Sequence, residues 1–294
     1  MVNMVTDSSE GYVELAGYKL FYRAFGELVK GTVLGLHGGP GATHDYLLPL
    51  ADLAQFGYRV VLYDQLGCGK SEVPKNPALF TVERAVEEVE GVRVALNLGR
   101  MNLIGSSWGG MLAIAYALRY QKNLKSIVTV GGLASVPFTT AEMQRMKSQL
   151  PNDVQEVMKK YEDLGDYENP EYLKAVEVFY RKHLCRLAEW PKELVHSLEH
   201  MSKPVYLTMN GPNEFTIIGN IRYWDVTHLL HKIHVPTLVT GGRYDEVSPR
   251  EARSIHRGIK RSRLVTFQNS SHLPMWEERE KFITVVRKHL DKVN

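Results

Sequence analysis

Short apolar runs alternate with segments of helical apolar spacing along the first half of the chain. Each run leads into a turn or a glycine-rich loop, which is typical of a buried strand. Four strands are predicted in this way, within 31–39, 58–71, 101–107 and 125–133. Between them, 81–96 places its valines on one side of a helix, and 109–121 is apolar almost all round, which predicts a buried helix. This order of elements indicates the α/β class, with a mostly parallel sheet flanked by helices.

The alternation of strands and helices stops after residue 133. Residues 134–223 have helical patterns and few strand-like runs. The strand pattern then returns and the chain closes with an amphipathic helix, within 231–242, 262–272 and 280–290. The simplest organisation is an α/β core of 1–133 and 224–294, interrupted by a helical insert at 134–223. Because no linker-like stretch separates the two parts, the insert is expected to pack on the core as a cap, or lid.

Two local signals predict helix starts inside the insert. Thr139 and Glu142 have the spacing of a capping box. Asn169 followed by Pro170 fits an N-cap with proline at the first helical position. The helix after Pro170 is predicted to have one apolar face, formed by Tyr172, Val176, Phe179 and Tyr180.

The composition is that of an ordinary globular protein of 294 residues, 44% hydrophobic and 23% charged. With 36 basic and 33 acidic residues, the net charge of +3 argues against nucleic acid or an anionic membrane as a partner. No apolar run approaches the about 18 residues that a membrane span needs. Residues 1–15 carry acids and no apolar core, so no secretory signal is expected. We therefore expect a cytoplasmic protein in which Cys68 and Cys185 are free thiols, although the sequence leaves a bridge between them open.

Two adjacent serines end the segment 101–107. A serine hydroxyl becomes a good nucleophile when a base takes its proton, and a sharp strand-to-helix turn can expose it to that base. Such a turn needs small residues two positions before and two positions after the serine. Ser107 has Gly105 and Gly109 there, whereas the corresponding neighbours of Ser106 are an isoleucine and a tryptophan. The G-x-S-x-G pattern therefore selects Ser107; the alternative is a glycine-tolerant turn with an inert serine.

The glycine-rich segment 36–41, LHGGPG, follows the first of the four predicted strands. Acyl transfer needs preorganised N–H donors for a developing oxyanion, and glycines let the backbone approach a ligand closely. We predict an oxyanion hole made of the backbone N–H groups of Gly39 and Trp108, the residue after the nucleophile. The alternative is a tight glycine–proline turn without a catalytic role.

The base and its orienting acid are predicted to follow Ser107 in the order acid, histidine. Asp245 lies in a loop just beyond one predicted strand, and His272 lies just beyond the next. Because parallel strands bring their carboxyl ends to one edge of the sheet, the three side chains can meet there. Such a triad requires neither a metal ion nor an organic cofactor, and we predict none.

Six motifs along the chain carry a family resemblance. They are HGGPG at 37–41, YDQLGCGKS at 63–71, GSSWGG at 105–110, MNGPNEF at 209–215, GGRYDEVSP at 241–249 and SSHLPMWE at 270–277. With them the chain resembles the α/β-hydrolase family, and more narrowly the proline iminopeptidases, which include the archaeal tricorn-protease-interacting aminopeptidases. The likeness spans nearly the whole chain, including the insert.

The resemblance implies a serine aminopeptidase that releases the N-terminal residue, proline or another mainly apolar one, from short peptides with a free N-terminus. It further implies that Glu214 and Glu246 bind the α-amino group, which is mostly charged near neutrality. Glu246 directly follows Asp245, and Glu214 comes from the insert, which would then lie over the site. Without the resemblance, Glu214 fits a helix cap equally well, and Glu246 fits a solvated loop acid equally well. Functional coupling to a larger upstream protease is implied in the same way.

Other functions are compatible with parts of the pattern. An esterase or lactonase of the same fold, acting on a small neutral substrate, needs the triad but no amine anchors. A non-catalytic binding protein needs neither. Dehalogenases and epoxide hydrolases are disfavoured because those relatives place aspartate where Ser107 stands.

Two apparent ligand motifs do not fit their usual chemistry. The segment 67–71, GCGKS, lacks the glycine that a phosphate-binding loop needs five residues before Gly69, where Asp64 stands. His228, His231 and His234 are spaced three apart, but a helix face or surface turn explains them better than a metal site.

Overall fold

A sheet of eight strands forms the centre of the computed structural model, which describes residues 8–293. The strands are β1 (Ser8–Leu15), β2 (Tyr18–Phe25), β3 (Gly31–Leu36), β4 (Tyr58–Tyr63), β5 (Met101–Ser106), β6 (Leu124–Val130), β7 (Thr237–Gly242) and β8 (Ser262–Phe267). Their spatial order is β1-β2-β4-β3-β5-β6-β7-β8. Pairing is parallel from β4 to β8 and antiparallel where β1 meets β2 and β2 meets β4. Residues 1–7 lie outside the described residues. They include the start of the predicted core and part of 1–15, where no secretory signal is expected.

The hairpin of β1 and β2 is the part of the sheet that the apolar pattern did not predict. In β1 only Val13 is buried, because this edge strand has the sheet on one side and solvent around most of its residues. The turn that joins the two strands, Ala16–Gly17, has φ values of 52° and 83°. Positive φ at both turn residues matches the twist of a tight hairpin, so turn geometry fixes this pairing where hydrophobicity does not.

Helices cover both faces of the sheet. Those outside the insert are α1 (Val82–Ala95), α2 (Trp108–Tyr120), α8 (Pro249–Gly258), α9 (Pro274–Glu277) and α10 (Arg279–Leu290). Neighbouring strand residues alternate between the faces: Leu103 belongs to the hydrophobic cluster that includes α1, α2 and α8, and Ile104 to the cluster that includes α10 and the 3₁₀ segment His44–Phe56. This arrangement is the predicted parallel sheet flanked by helices. No helix in the described part of the chain is long and apolar enough to cross a membrane.

The insert between β6 and β7 is helical. Its helices are α3 (Val136–Lys147), α4 (Asn152–Leu164), α5 (Pro170–His183), α6 (Lys192–Glu199) and α7 (Lys203–Met209). The two ends of the insert lie side by side, because Ser135 forms a β-bridge with Asp225. The buried carboxylate of Glu251, on α8, accepts hydrogen bonds from the backbone N–H groups of Ala134 (2.6 Å) and Ser135 (3.2 Å). The chain therefore leaves the core and returns to it side by side, at one narrow stem.

One of the two predicted helix starts in the insert is wrong. Helix α3 is capped by Ser135, whose hydroxyl accepts a hydrogen bond from the N–H of Phe138 at 3.3 Å. Thr139 and Glu142 lie inside this helix and are not a capping box. A proline at position 137 explains the earlier start, because proline is best tolerated in the first turn of a helix.

The second predicted start is confirmed. The side chain of Asn169 accepts a hydrogen bond from the N–H of Glu171 at 3.0 Å, and Pro170 is the first residue of α5. Of the predicted apolar face, Tyr172, Val176 and Phe179 are buried, and Tyr180 is partly buried. The face packs against other parts of the insert, as the aromatic contact between Phe179 and Phe215 illustrates.

Candidate active site

The turn between β5 and α2 holds Ser107 in a strained backbone conformation. Strand β5 ends at Ser106 and α2 begins at Trp108, so Ser107 is the only residue between them. Its φ of 57° and ψ of −123° lie outside the regions that non-glycine residues prefer. Such strain persists where the surroundings enforce it, and here it presents the hydroxyl at the edge of the sheet, as the sequence pattern predicted.

The glycines on either side of Ser107 are required by close backbone packing. A Cβ on Gly105 would overlap the carbonyl of Gly109, and a Cβ on Gly109 would overlap the carbonyl of Leu36. Strand β5, the start of α2 and the end of β3 therefore touch through backbone alone. This contact is the physical reason for the G-x-S-x-G spacing.

Substitution Gly109→Ala is expected to lower the free energy of unfolding by about 3 kcal/mol, since backbone atoms cannot move aside as a side chain can. Chemical denaturation measures the loss. Gly165→Ala is the control: φ there is 68°, but the added Cβ meets no atom within 4 Å, so only the backbone cost of about 1 kcal/mol is expected. Equal losses in the two variants would contradict the packing explanation.

His272 and Asp245 form a buried hydrogen-bonded pair. The Nδ1–H group of His272 donates to Oδ1 of Asp245 at 2.6 Å, and both side chains are almost completely buried. A Cβ on Gly131 would lie 2.6 Å from the imidazole, so the end of β6 also needs a glycine beside this pair. The Nε2 atom of His272 makes no hydrogen bond to the described residues, and His272 and Ser107 line the same cavity. The three residues predicted as a triad are thus brought to one edge of the sheet.

The loop after β3 lies against Ser107. A Cβ on Gly38 would be 2.9 Å from the Cβ of Ser107, and Gly39 lines the cavity with φ of 107°. Among the described residues, no group accepts a hydrogen bond from the backbone N–H of Gly39 or of Trp108. Both N–H groups are therefore available to an oxyanion, as an oxyanion hole requires.

Gln65 joins Trp108 to the loop that carries Gly39. Its Nε2 donates to the carbonyl of His37 at 2.8 Å, and its Oε1 accepts from the indole Nε1 of Trp108, also at 2.8 Å. The N–H of Gln65 in turn donates to Nε2 of His37 at 3.0 Å. Sequence reasoning assigned Trp108 a role through its backbone only; the structure adds that its side chain fixes the loop after β3.

Glu214 and Glu246 line the same cavity as Ser107, as the resemblance implied. An oxygen of Glu246 lies 3.7 Å from Nε2 of His272, and the other oxygen of Glu246 has no hydrogen-bond donor among the described residues. Glu214 accepts a hydrogen bond from the hydroxyl of Tyr206 at 2.7 Å. A buried carboxylate without a donor and a partly buried one beside the same cavity create a site that favours a cation.

Burial and charge shift the pKa values of this cluster. Burial raises the pKa of Glu214 and raises that of Glu246 to about 8; the neighbouring carboxylates act on Glu246 in the same direction. Burial opposes the charged form of His272, but Asp245, Glu246 and Glu214 outweigh it and raise the pKa of His272 to about 9. The cluster therefore holds protons near neutrality that an incoming cation can displace.

The cavity measures about 320 Å³ and lies between the sheet edge and the insert. Its remaining lining is mainly apolar and aromatic and includes Tyr172, Val176, Leu184, Leu194, Leu198 and Met201.

The sequence did not point to two polar residues of this cavity. Tyr206, which binds Glu214, comes from α7, and Tyr46, whose hydroxyl accepts from the N–H of Gly38 at 2.6 Å, comes from the 3₁₀ segment. No sequence motif pointed to them: each contact joins residues eight positions apart, and it forms only when the chain between them folds back.

The other motifs noted in the sequence have structural explanations. Asp64 accepts hydrogen bonds from the N–H groups of His44 (2.8 Å) and Lys70 (2.9 Å), so the loop at 67–71 folds around a buried carboxylate. Within residues 8–293, no three histidine, cysteine or acidic side chains converge in a way that could hold a metal ion. Cys68 and Cys185 are free and buried, so the bridge that the sequence left open is not formed.

Comparison with known proteins connects this geometry to a family. Residues 31–279 match the alpha/beta hydrolase fold family. The chain is 48% identical to a proline iminopeptidase of Saccharolobus solfataricus, over 97% of this chain and 93% of the relative. It is 46% identical to a proline iminopeptidase of Thermoplasma volcanium, over 96% and 97% of the two chains. A crystal structure of the proline iminopeptidase of Mycobacterium smegmatis superposes with a TM-score of 0.91 at 31% identity, covering 97% of this chain and 98% of the other.

Proposed function

The chain belongs to the proline iminopeptidases of the α/β-hydrolase family, and on this premise we propose that it is a serine aminopeptidase. It releases the N-terminal residue, proline or another mainly apolar one, from short peptides with a free N-terminus. The observation that carries the proposal is that Ser107 shares one cavity with the carboxylates of Glu214 and Glu246. A carboxylate pair anchors the substrate ammonium at a fixed distance from the nucleophile, which accounts for the removal of one residue at a time.

The proposed reaction uses an acyl-enzyme. His272 takes the proton of Ser107, whose oxygen attacks the first peptide carbonyl while Asp245 orients the imidazole. The N–H groups of Gly39 and Trp108 stabilise the oxyanion. His272 then protonates the leaving amine, the shortened peptide departs, and His272 activates the water that hydrolyses the ester. No step calls for a metal ion or an organic cofactor.

We also propose that residues 134–223 form a cap domain over a core of 1–133 and 224–294. Helices α5, α6 and α7 all contribute side chains to the cavity, through Val176, Leu194 and Tyr206 among others. Their apolar lining suits an apolar first residue, since small-molecule pockets bind mainly through such surfaces. The cap thereby supplies both the pocket and one amine anchor.

We assign the protein to the cytoplasm, because two buried free thiols fit a reducing compartment. Short peptides with free N-termini are what a larger endoprotease releases. A functional coupling to such an upstream protease follows from the family resemblance alone and stays a prediction.

A panel of aminoacyl-arylamides with free and blocked amines tests the proposed activity. We expect prolyl and other apolar free-amine substrates to be hydrolysed, and their N-acetylated counterparts to react at least tenfold more slowly. Equal rates on the two series, with good rates on simple esters, would favour the esterase or lactonase alternative instead.

The carboxylates around His272 should also set the pH dependence of the nucleophile. The imidazole must be neutral to act as a base, so reactivity rises with pH through the pKa of His272, which its anionic neighbours raise to about 9. Glu246→Gln removes one of these anions and should move the rise to lower pH. The rate of phosphonylation of Ser107 by a neutral phosphonate, followed against pH, measures this without an ionising substrate.

The exposed acid Glu280 offers a control for that pH profile. Glu280→Gln should leave the profile where it is, because the change lies on the solvent side of α10. An unshifted profile in Glu246→Gln, or a shift to higher pH, would contradict the electrostatic role given to Glu246.

A further inference from the structure

The backbone N–H groups of residues 271–273, around His272, all donate hydrogen bonds to groups outside this segment. The N–H of Ser271 donates to Oε2 of Glu277 at 2.9 Å, and that of Leu273 donates to the same oxygen at 3.3 Å. Between them, the N–H of His272 donates to the carbonyl of His183 at 3.2 Å. This segment belongs to neither β8 nor α9. Its backbone is therefore held by these three hydrogen bonds rather than by those of a strand or helix.

The carboxylate of Glu277 makes four hydrogen bonds. Besides the two backbone N–H groups beside His272, it accepts the hydroxyl of Ser271 at 2.8 Å and the N–H of Arg186 at 2.9 Å. Arg186 lies in the insert, just after α5. Burial raises the pKa of Glu277, while these donors lower it. Hydrogen bonds to an ionised carboxylate are stronger than neutral ones, so this group can fix the segment that carries the imidazole.

The end of α5 reaches the same two loops. His183 is its last residue, and the carbonyl of a last residue has no partner inside its own helix. That carbonyl accepts the N–H groups of both His272 and Glu246, each at 3.2 Å. The Nδ1–H group of His183 donates to the carbonyl of Tyr244 at 2.8 Å. The insert is thus bonded to the loop of the proposed acid and to the loop of the proposed base.

We propose that Glu277 is a positioning residue: it fixes the backbone on both sides of His272 and joins it to the insert. The proposal rests on the proposed function of Ser107 and His272. The imidazole is bonded through Nδ1 to Asp245 only, so the position of Nε2 relative to Ser107 depends on where the backbone of His272 lies. A displacement of about 1 Å can cost on the order of 100-fold in rate, which gives such a carboxylate a kinetic effect without touching substrate.

Variants at adjacent acids test the proposal. Glu277→Gln keeps the shape but places an amide NH₂ group against N–H donors. We expect kcat on prolyl-arylamide to fall 10- to 100-fold, with KM within threefold because the amine anchors and pocket are unchanged. Glu278→Gln is the matched control: Glu278 binds the N–H of Asn269 and the hydroxyl of Ser270, earlier in the same loop, and should change kcat less than threefold.

A spectroscopic readout separates positioning from stability. The proton between His272 and Asp245 should resonate far downfield in the wild-type ¹H NMR spectrum and in Glu278→Gln, and should shift or broaden in Glu277→Gln. If Glu277→Gln does not fold, Ser271→Ala deletes only one of the four donors and should still slow phosphonylation of Ser107 about threefold.

The outcomes distinguish this proposal from the proposed function. If wild-type protein labels with phosphonate but hydrolyses no aminoacyl-arylamide, the aminopeptidase assignment fails while the labelling rates still test Glu277. The positioning role would be overturned if Glu277→Gln labelled with phosphonate at the wild-type rate and kept the wild-type kcat. Equal losses of kcat in Glu277→Gln and Glu278→Gln would also overturn it.

Discussion

Replacing Ser107 by alanine is expected to lower kcat for prolyl-arylamide by roughly 10⁵-fold or more, since no covalent intermediate can then form. KM should change little, because Glu214, Glu246 and the apolar pocket are untouched. The residual rate should still exceed that of water, as the oxyanion donors and the bound amine remain. Initial rates at high enzyme concentration, with active sites counted by phosphonate labelling of the wild type, measure the loss.

The adjacent serine supplies the matched control. Ser106 is the last residue of β5 and is buried, so Ser106→Ala should keep kcat within about threefold and should still label with phosphonate. Substantial hydrolysis by Ser107→Ala would remove this residue from the mechanism. A large loss in Ser106→Ala with an active Ser107→Ala would transfer the role to the neighbouring serine.

The second large effect is expected at the amine anchors. Glu214→Gln and Glu246→Gln should each lower kcat/KM for free-amine arylamides by about 10²–10³-fold, because a desolvated ammonium then lacks one of its anionic partners. N-acetylated substrates and simple esters have no ammonium, so their rates should change only a few-fold. Parallel kinetics on the free and blocked series measure the difference.

The two anchors should not act independently. Both carboxylates line one cavity and serve one ammonium, so the double variant should lose less than the product of the two single losses. Glu199→Gln, an exposed acid in the same insert, should leave both substrate series unchanged. Equal losses on free and blocked amines in Glu214→Gln would show that this glutamate serves the fold rather than the substrate.

Local patterns were sufficient for the central sheet and for the nucleophile. Strands β3 to β7 are buried apolar runs, and β8 is a partly buried one. The glycines around Ser107 form a short motif that can be recognised in the sequence, although Gly109 packs against the distant carbonyl of Leu36. The hairpin of β1 and β2 was not predicted, because the edge strand β1 has one buried residue and carries no apolar run. The start of α3 was misjudged because capping spacing at Thr139 competed with a serine and a proline a few residues earlier.

The rest of the site depends on contacts that no sequence motif indicates. Glu214 lies more than a hundred residues from Ser107 in sequence, and only family resemblance pointed to it. Tyr206 and Glu277 are ordinary residues in their own helices, and their significance arises from hydrogen bonds formed after folding. A mostly parallel sheet can be inferred from one sequence, but the hydrogen-bond partner of a single carboxylate cannot.

The narrow stem of the insert has an evolutionary consequence. Since Ser135 and Asp225 are bridged, the chain leaves the core and returns to it at nearly one point, whatever length lies between. Closing a longer or shorter loop at such a point changes the entropy of folding only slowly with length. The segment can therefore be exchanged as a module, and substrate choice can diversify while the hydrolytic residues stay unchanged in the core. Any replacement must, however, bring a carbonyl to the position now held by His183.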